Sequence, residues 1–258
     1  MDDLSLALEL ADAADAISRT RFQANDLRVE TKPDLTPVTD ADRAVEESIR
    51  TLLSRHRPDD AIHGEEFGTF DGERQWIIDP IDGTKNFVRG VPVWATLIAL
   101  RERDTITTGV VSAPALGRRW WAALGRGASC TAPTDSKARH PLQVSGVADL
   151  ADASLSYSDA IGWRPDGLSR LTASTWRQRA FGDFWSHLMV AEGAVDIAGE
   201  PALKIHDVAA LVPIVHEAGG RITTFDGEPL PWNDPTAEFS ALTTNGLLHN
   251  CVVDLLRV

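Results

Sequence analysis

The apolar run Trp76-Ile77-Ile78 ends in Asp79-Pro80-Ile81-Asp82, and Gly83-Thr84-Lys85-Asn86-Phe87 follows at once. Asp42, Glu65, Glu66 and Asp207 also stand where predicted strands or helices start or stop. Carboxylates delivered to one place repel unless a cation neutralises them. A hard divalent ion such as Mg2+ takes oxygen ligands, keeps several waters and favours carboxylates together with a substrate phosphate. Two aspartates flanking Pro80-Ile81 suit such an ion. The proline fixes the chain direction, the Ile81 carbonyl is left as a further oxygen ligand, and Asp79 could bridge two ions. A glycine at 83 permits a tight turn, and a short helix starting there would aim N–H groups at an anion. Thr84 offers a hydroxyl that could hold an attacking water. Acids followed directly by an anion cradle are the layout of metal-assisted phosphate hydrolysis.

Each piece also has a plainer reading. Asp-Pro followed by Asp-Gly is a good turn, Glu65-Glu66 reads as a solvated pair, and Thr39 with Asp42 forms a capping box. Asp207 suits the first turn of a helix. A capping acid can still coordinate, so these readings coexist with chemistry; the combination of all of them points to a metal centre.

The elements that must position these residues are legible in part. Helical spacing predicts helices over 3–22 and 40–56, the latter with Val45, Ile49, Leu52 and Leu53 on one face. Residues 31–39, with two prolines, read as loop. Short β-rich runs follow from 61 to 145, broken by Gly, Pro and charge, and 131–141 reads as the most loop-like stretch. Beyond about 145, strands and helices alternate, with helices expected over 183–193, 206–220 and 246–258. Pro213 lies inside the second of these and marks a kink or a break. No repeats or low-complexity tracts appear. The pattern predicts an α+β/α/β layered sandwich with an N-terminal half, 1–145, carrying most of the candidate ligands, and a C-terminal half, 146–258, the two forming one catalytic unit.

Composition narrows the function classes. The 258 residues carry a net charge of −13, with 43% hydrophobic and 24% charged residues, an ordinary globular balance. That acidity argues against nonspecific nucleic-acid binding, which needs basic surfaces. No run approaches the ~18 apolar residues of a membrane span, and the acidic amphipathic start lacks signal-peptide character, so a cytoplasmic enzyme without membrane association is expected. Cys130 and Cys251, the two cysteines, lack metal or redox spacing and read as reduced thiols. No GxGxxG opens a helix after a strand, which disfavours a dinucleotide enzyme.

The stretches Pro37–Asp42, Gly64-Glu65-Glu66, Trp76–Phe87 and His206–Gly220 resemble the inositol monophosphatase family, Mg2+-dependent phosphomonoesterases, in order and spacing over nearly the whole chain. The resemblance implies an alternating α-β-α-β-α fold, a homodimer and two to three Mg2+ ions. Glu65, Asp79 and the Ile81 carbonyl would hold the first ion, and Asp79, Asp82 and Asp207 the second. Glu65 and Asp82 would help hold a third through waters. Thr84 and Asp42 would orient the nucleophilic water, the Gly83 and Thr84 N–H groups would hold phosphate, and attack would be direct and in line. Two departures stand out: His206 replaces a Trp, as a packing residue or a substrate contact, and Lys85 replaces a common Thr, as added charge or a solvated side chain.

Within the family the sequence is most similar to the histidinol-phosphate phosphatase branch. A substrate bearing an ammonium and an imidazole calls for carboxylates away from the metals. Asp183, in Arg179-Ala180-Phe181-Gly182-Asp183-Phe184, and Glu200 are the candidates, with Asp183 alternatively capping the following helix. Arg179 is a candidate counter-charge in the substrate site, and Asn245 a candidate at its edge. Trp120-Trp121 beside Arg118-Arg119 read as core or as a dimer surface. The competing expectations are an inositol or broad sugar-phosphate phosphatase, and a catalytically silent binding member.

Overall fold

The computed structural model describes all residues except Asp34, Phe70, Asp71, Pro133, Thr134, Asn233, Pro235, Thr236 and Val258. Five layers stack as helix, sheet, helix, sheet, helix. The outermost pair is α1 (Asp3–Arg21) and α2 (Asp40–His56), preceded in the second case by a small hairpin of β1 (Val29–Thr31) and β2 (Pro37–Thr39). The stretch read as loop over 31–39 thus contributes to both strands, Thr31 pairing with Pro37 and Thr39 with Val29 just before it.

The first sheet has the order β10-β9-β8-β7-β6-β5-β3-β4. Its strands are β3 (Ala61–Gly64), β4 (Gly68–Thr69), β5 (Arg74–Asp82), β6 (Ala95–Glu102), β7 (Thr105–Ala113), β8 (Arg118–Ala123), β9 (Ala128–Ala132) and β10 (Asp135–Pro141). A short helix, α3 (Thr84–Arg89), leaves β5 after Gly83. Successive side chains of β5 and β6 face opposite layers. Trp76, Ile78, Ile98 and Leu100 pack under α1 and α2, whereas Ile77, Leu97 and Ala99 join the inner core. Burial on both faces explains the unbroken apolar runs. The stretch expected as loop over 131–141 instead supplies β10, which pairs with β9; Pro133 and Thr134 lie outside the described residues. An edge strand tolerates the polar composition that disguised it.

The middle layer holds α5 (Asp183–Ala191), α6 (Ile205–Val208) and α7 (Leu211–Glu217). The helix expected over 206–220 is interrupted at Ala209-Ala210, although both keep helical dihedrals. Pro213 has no N–H to give the Ala209 carbonyl, so the ladder breaks there. The second sheet, β12-β11-β13-β15-β14, comprises β11 (Ser154–Tyr157), β12 (Arg177–Arg179), β13 (Ile197–Leu203), β14 (Arg221–Thr223) and β15 (Phe239–Thr244). Outside it lie α4 (Gly167–Ser174), absent from the sequence expectation, and α8 (His249–Arg257). Leu171, Val252 and Leu256 pack there on Leu155, Ile197 and Leu242. Trp120 and Trp121 are core residues, not a surface. Both cysteines are free, Cys130 buried and Cys251 exposed. Among the described residues no helix is long and apolar enough to cross a membrane.

Candidate active site

A cleft of about 620 Å³ runs between the two sheets and is lined by Glu65, Asp79, Ile81, Asp82, Gly83, Thr84, Asp183, Glu200 and Asp207, among others. Asp79 and Asp82 face it together because β5 is irregular. In a regular strand, residues three apart point to opposite faces. Here Asp79 opposes Leu97 and Asp82 opposes Ala95, so β5 carries one extra residue against β6. Pro80 and Ile81 form that bulge, which re-aims Asp82, and the Pro80 carbonyl accepts from Thr96 Oγ1 at 2.8 Å.

Asp79, Asp82 and Asp207 bring carboxylate oxygens within 4.8 Å of one another. One oxygen of each is fixed by a backbone N–H: Asp79 Oδ1 by Ile81 at 3.0 Å, Asp82 Oδ2 by Phe184 at 2.9 Å and Asp207 Oδ2 by Lys204 at 2.6 Å. Burial, then the charges of Glu65, Asp82 and Asp207, push the Asp79 carboxyl well above its usual range. Burial and then Asp183 do the same to Asp82, and burial raises Asp207. Three such carboxyls, held in place against mutual repulsion, are a hard-oxygen donor set that fits a divalent cation. Against the rise, the charges of His206, whose Nε2 lies 3.7 Å from Asp207 Oδ1, and of Lys204 pull Asp207 down. Lys32 pairs with Glu65 at 2.7 Å and Glu66 at 2.5 Å. The pair of acids, whose plainer reading is a solvated pair, is therefore cross-linked to the β1–β2 hairpin.

Asp42 caps α2 and also meets Thr84. Its Oδ2 accepts from the Thr39 N–H at 2.9 Å, completing the capping box of α2. Its Oδ1 accepts from Thr84 Oγ1 at 3.3 Å. Burial raises its pKa to about 6. The Ile81 carbonyl is not left free: Thr84 Oγ1 also lies 2.9 Å from it. One hydroxyl proton cannot serve both acceptors fully, so the Thr84 hydroxyl can turn to Asp42 whenever the carbonyl is otherwise engaged. Gly83, at φ 82°, is the left-handed residue that turns β5 into α3 without any side-chain cap on the helix start. A Cβ there would lie 2.9 Å from the Val93 carbonyl oxygen.

Asp183 and Glu200 line the same cleft. Gly182 occupies the cap position of α5, and Asp183 follows it at φ 50° without capping the helix. Its Oδ2 accepts from Asn86 Nδ2 at 2.9 Å, and burial raises its pKa against the pull of the Lys85 charge. Ser158 Oγ accepts from the Asp183 N–H and donates to Glu200 Oε1, each at 2.5 Å; burial lifts Glu200 to about 7. Lys85 is exposed on the cleft rim. His206 lines the cleft and stacks on buried His63, with ring centroids 5.6 Å apart.

Two expected residues fall elsewhere. Arg179 is exposed at the end of the edge strand β12 and donates to the Gln178 carbonyl at 2.6 Å, outside the cleft lining. Asn245 is buried and turns the chain into α8, donating to Ser145 and Val147 and accepting from the Leu248 N–H. Conversely, the site includes Lys32, Asn86 and Ser158, which sequence reasoning missed. Lys32 stands just before Pro33 in an apparent loop, and nothing in the sequence around Ser158 distinguishes it from any turn serine.

A model of the inositol monophosphatase family matches residues 2–257, and the chain belongs to that metal-dependent family of phosphatases. Among particular relatives, it is 59% identical to the histidinol-phosphatase of Mycobacterium tuberculosis over 99% of this chain and 98% of that one. It is 55% identical to the histidinol-phosphatase of Streptomyces coelicolor over 100% and 97%. Its fold superimposes on an IMPase of Thermotoga maritima with a TM-score of 0.88, at 30% identity over 100% of this chain and 97% of that one.

Proposed function

We propose that this enzyme hydrolyses L-histidinol phosphate to L-histidinol and inorganic phosphate with Mg2+, as a cytoplasmic step of histidine biosynthesis. The observation that carries the chemistry is the convergence of Asp79, Asp82 and Asp207 within 4.8 Å, beside the Thr84–Asp42 pair. Glu65, Asp79, the Ile81 carbonyl, Asp82 and Asp207 would hold two to three ions, which when bound supply charge neutralisation for phosphate and acidify a water. The chain's own residues do the rest. The Gly83 and Thr84 N–H groups receive phosphate oxygens at the start of α3. Thr84 Oγ1 orients the attacking water and donates to Asp42 Oδ1, whose pKa of about 6 suits it to hold a proton near neutral pH. Water oxygen bonds to phosphorus as the ester P–O bond opens in line, and the departing alkoxide takes up a proton from solvent water to leave as L-histidinol, with no phosphoenzyme.

The alcohol is chosen by Asp183 and Glu200, which supply carboxylates for the ammonium and imidazole. The 55–59% identity to histidinol-phosphatases, against 30% to the Thermotoga structure, supports this substrate over inositol or fructose phosphates. Residues 1–145 contribute Asp42, Glu65, Asp79, Asp82 and Thr84, and residues 146–258 contribute Asp183, Glu200 and Asp207, so the two halves act as one catalytic unit. We expect a homodimer. The test is phosphate release from histidinol phosphate, inositol 1-phosphate and fructose 1,6-bisphosphate, with and without Mg2+. Histidinol phosphate should give the highest kcat/KM and require the ion. A better inositol or fructose ester overturns the substrate, and no release from any ester overturns the chemistry.

A further inference from the structure

Beneath the turn that carries Glu65 lies a carboxylate with no part in the reaction. Glu46, on α2, is fully buried. Its Oε2 accepts from the Glu66 N–H at 2.8 Å, and its Oε1 from the Phe67 N–H at 3.3 Å. Arg50, one helical turn on, donates its Nε to the same Oε1 at 2.7 Å and its Nη2 to the Gly68 carbonyl at 2.8 Å. On the other side, the Glu65 N–H donates to the Ile78 carbonyl of β5, one residue before Asp79. The turn is therefore gripped from α2 and from β5, with the Glu65 side chain between the two grips.

Gly64 shows how closely Glu46 is seated. A Cβ on Gly64 would lie 1.8 Å from Glu46 Oε1 and 2.3 Å from its carboxyl carbon. Gly64 has no left-handed backbone, and the three atoms nearest to such a Cβ all belong to the Glu46 carboxylate, so a side chain there must displace that carboxylate. A buried acid that only balanced Arg50 would not need this position. Glu46 sits where two consecutive N–H groups of the Glu65 turn converge, an arrangement that fixes the backbone from which Glu65 departs.

We infer that Glu46 is a positioning residue for Glu65, acting through the Glu66 and Phe67 N–H groups to set the affinity of the site for its divalent ion. The inference rests on the metal reading of Glu65 given above. Groups that orient metal ligands from behind are worth about 10- to 100-fold in metal affinity. In Glu46→Gln one oxygen becomes an amide donor facing N–H or guanidinium donors, so at least one of the three bonds is lost. Gly64→Ala must push the carboxylate off the turn and should reproduce the effect without changing Glu46.

The experiment is calorimetric titration of Mg2+ and Mn2+ into the folded, metal-free proteins, with metal-free thermal denaturation alongside. Glu46→Gln and Gly64→Ala should each weaken ion binding by about 10- to 100-fold. The double variant Glu46→Ala/Gly64→Ala should bind no more weakly than Glu46→Ala alone, since truncation removes the clash. If Glu46→Gln does not fold, Arg50→Lys is titrated instead and should weaken binding in the same direction. Wild-type ion affinity in folded Glu46→Gln or Gly64→Ala, with only a lower melting temperature, overturns the positioning role and leaves the metal reading standing. A wild-type protein that takes up no ion overturns both.

Discussion

Replacing Asp183 with Asn separates substrate choice from phosphate chemistry. The substitution removes the charge and little else. Asp183 sits at φ 50°, a left-handed conformation that Asn tolerates as well as Asp, so the backbone at the start of α5 should persist. An amide oxygen can still accept from Asn86 Nδ2, which lies 2.9 Å from the carboxylate. What disappears is the charge-assisted contact to the cationic end of histidinol phosphate. A hydrogen bond to a charged partner is worth about 1.5–3 kcal/mol, which predicts a loss of about 10- to 150-fold in kcat/KM. Asp183 also raises the pKa of Asp82, so its removal changes the metal site for every substrate alike. For that reason the informative quantity is the ratio of kcat/KM for histidinol phosphate to that for an aryl phosphate, measured at saturating Mg2+. The ratio should fall by the full factor while aryl phosphate hydrolysis stays within about twofold. An equal loss on both substrates would refute the specificity argument and return Asp183 to the metal site.

Two further expectations concern protons. Because burial first, and neighbouring carboxylates second, hold Asp79 and Asp82 above their usual range, ion binding should expel more protons as the pH is lowered; binding enthalpies that do not vary between buffers of different ionisation heat at any pH would contradict this. His187 is buried, with Nδ1 2.7 Å from Thr243 Oγ1, and burial lowers its pKa from 6.5 to about 4. The unfolded chain therefore takes up a proton between those values while the native state does not. Stability from this residue is fully present above pH 6.5 and declines by up to about 3 kcal/mol as the pH falls towards 4. Asp42 and Glu200, raised to about 6 and about 7, act in the opposite sense. The measurement is thus the difference between metal-free wild type and His187→Gln in urea unfolding across that range, and a difference independent of pH would count against it.

Much of the site was legible because its residues occupy positions where an acid conflicts with its surroundings. Asp42 falls on the buried side of α2 with Val45 and Ile49; Glu46 shares that face, and the sequence reading passed over it. Asp79 and Asp82 close an apolar strand. Long-range partners were less legible. Lys32 meets Glu65 across 33 positions, and Ser158 meets Glu200 across 42, distances over which a single sequence carries no pairing signal. The reading of 131–141 as loop failed because an edge strand needs little hydrophobicity. Arg179 ends β12 exposed and bonded to the Gln178 carbonyl, although Ala180 and Phe181 just after it line the cleft, and no sequence pattern distinguishes those neighbouring positions.

The two sheets deliver their cleft acids by one device. In β5, pairing with the parallel neighbour β3 ends at Ile78, and Asp79 and Pro80 follow. In β13, pairing with the parallel neighbour β11 ends at Gly199, and Glu200 and Pro201 follow. Beyond each proline the strand carries one extra residue against its antiparallel neighbour, between Asp79 and Asp82 in one case and between Glu200 and Leu203 in the other. Proline has no N–H for the ladder, so each strand leaves its regular register just where the parallel partner stops, and the acid before it is left at the carboxyl end of a parallel pair. Ligands of α/β sheets gather at such ends. The metal acids and the proposed substrate acid thus reach one cleft from opposite sheets through the same local sequence, an acid followed by proline just past a strand's last parallel pair. That shared geometry brings Glu200, remote in sequence from every proposed metal ligand except Asp207, into the same cleft.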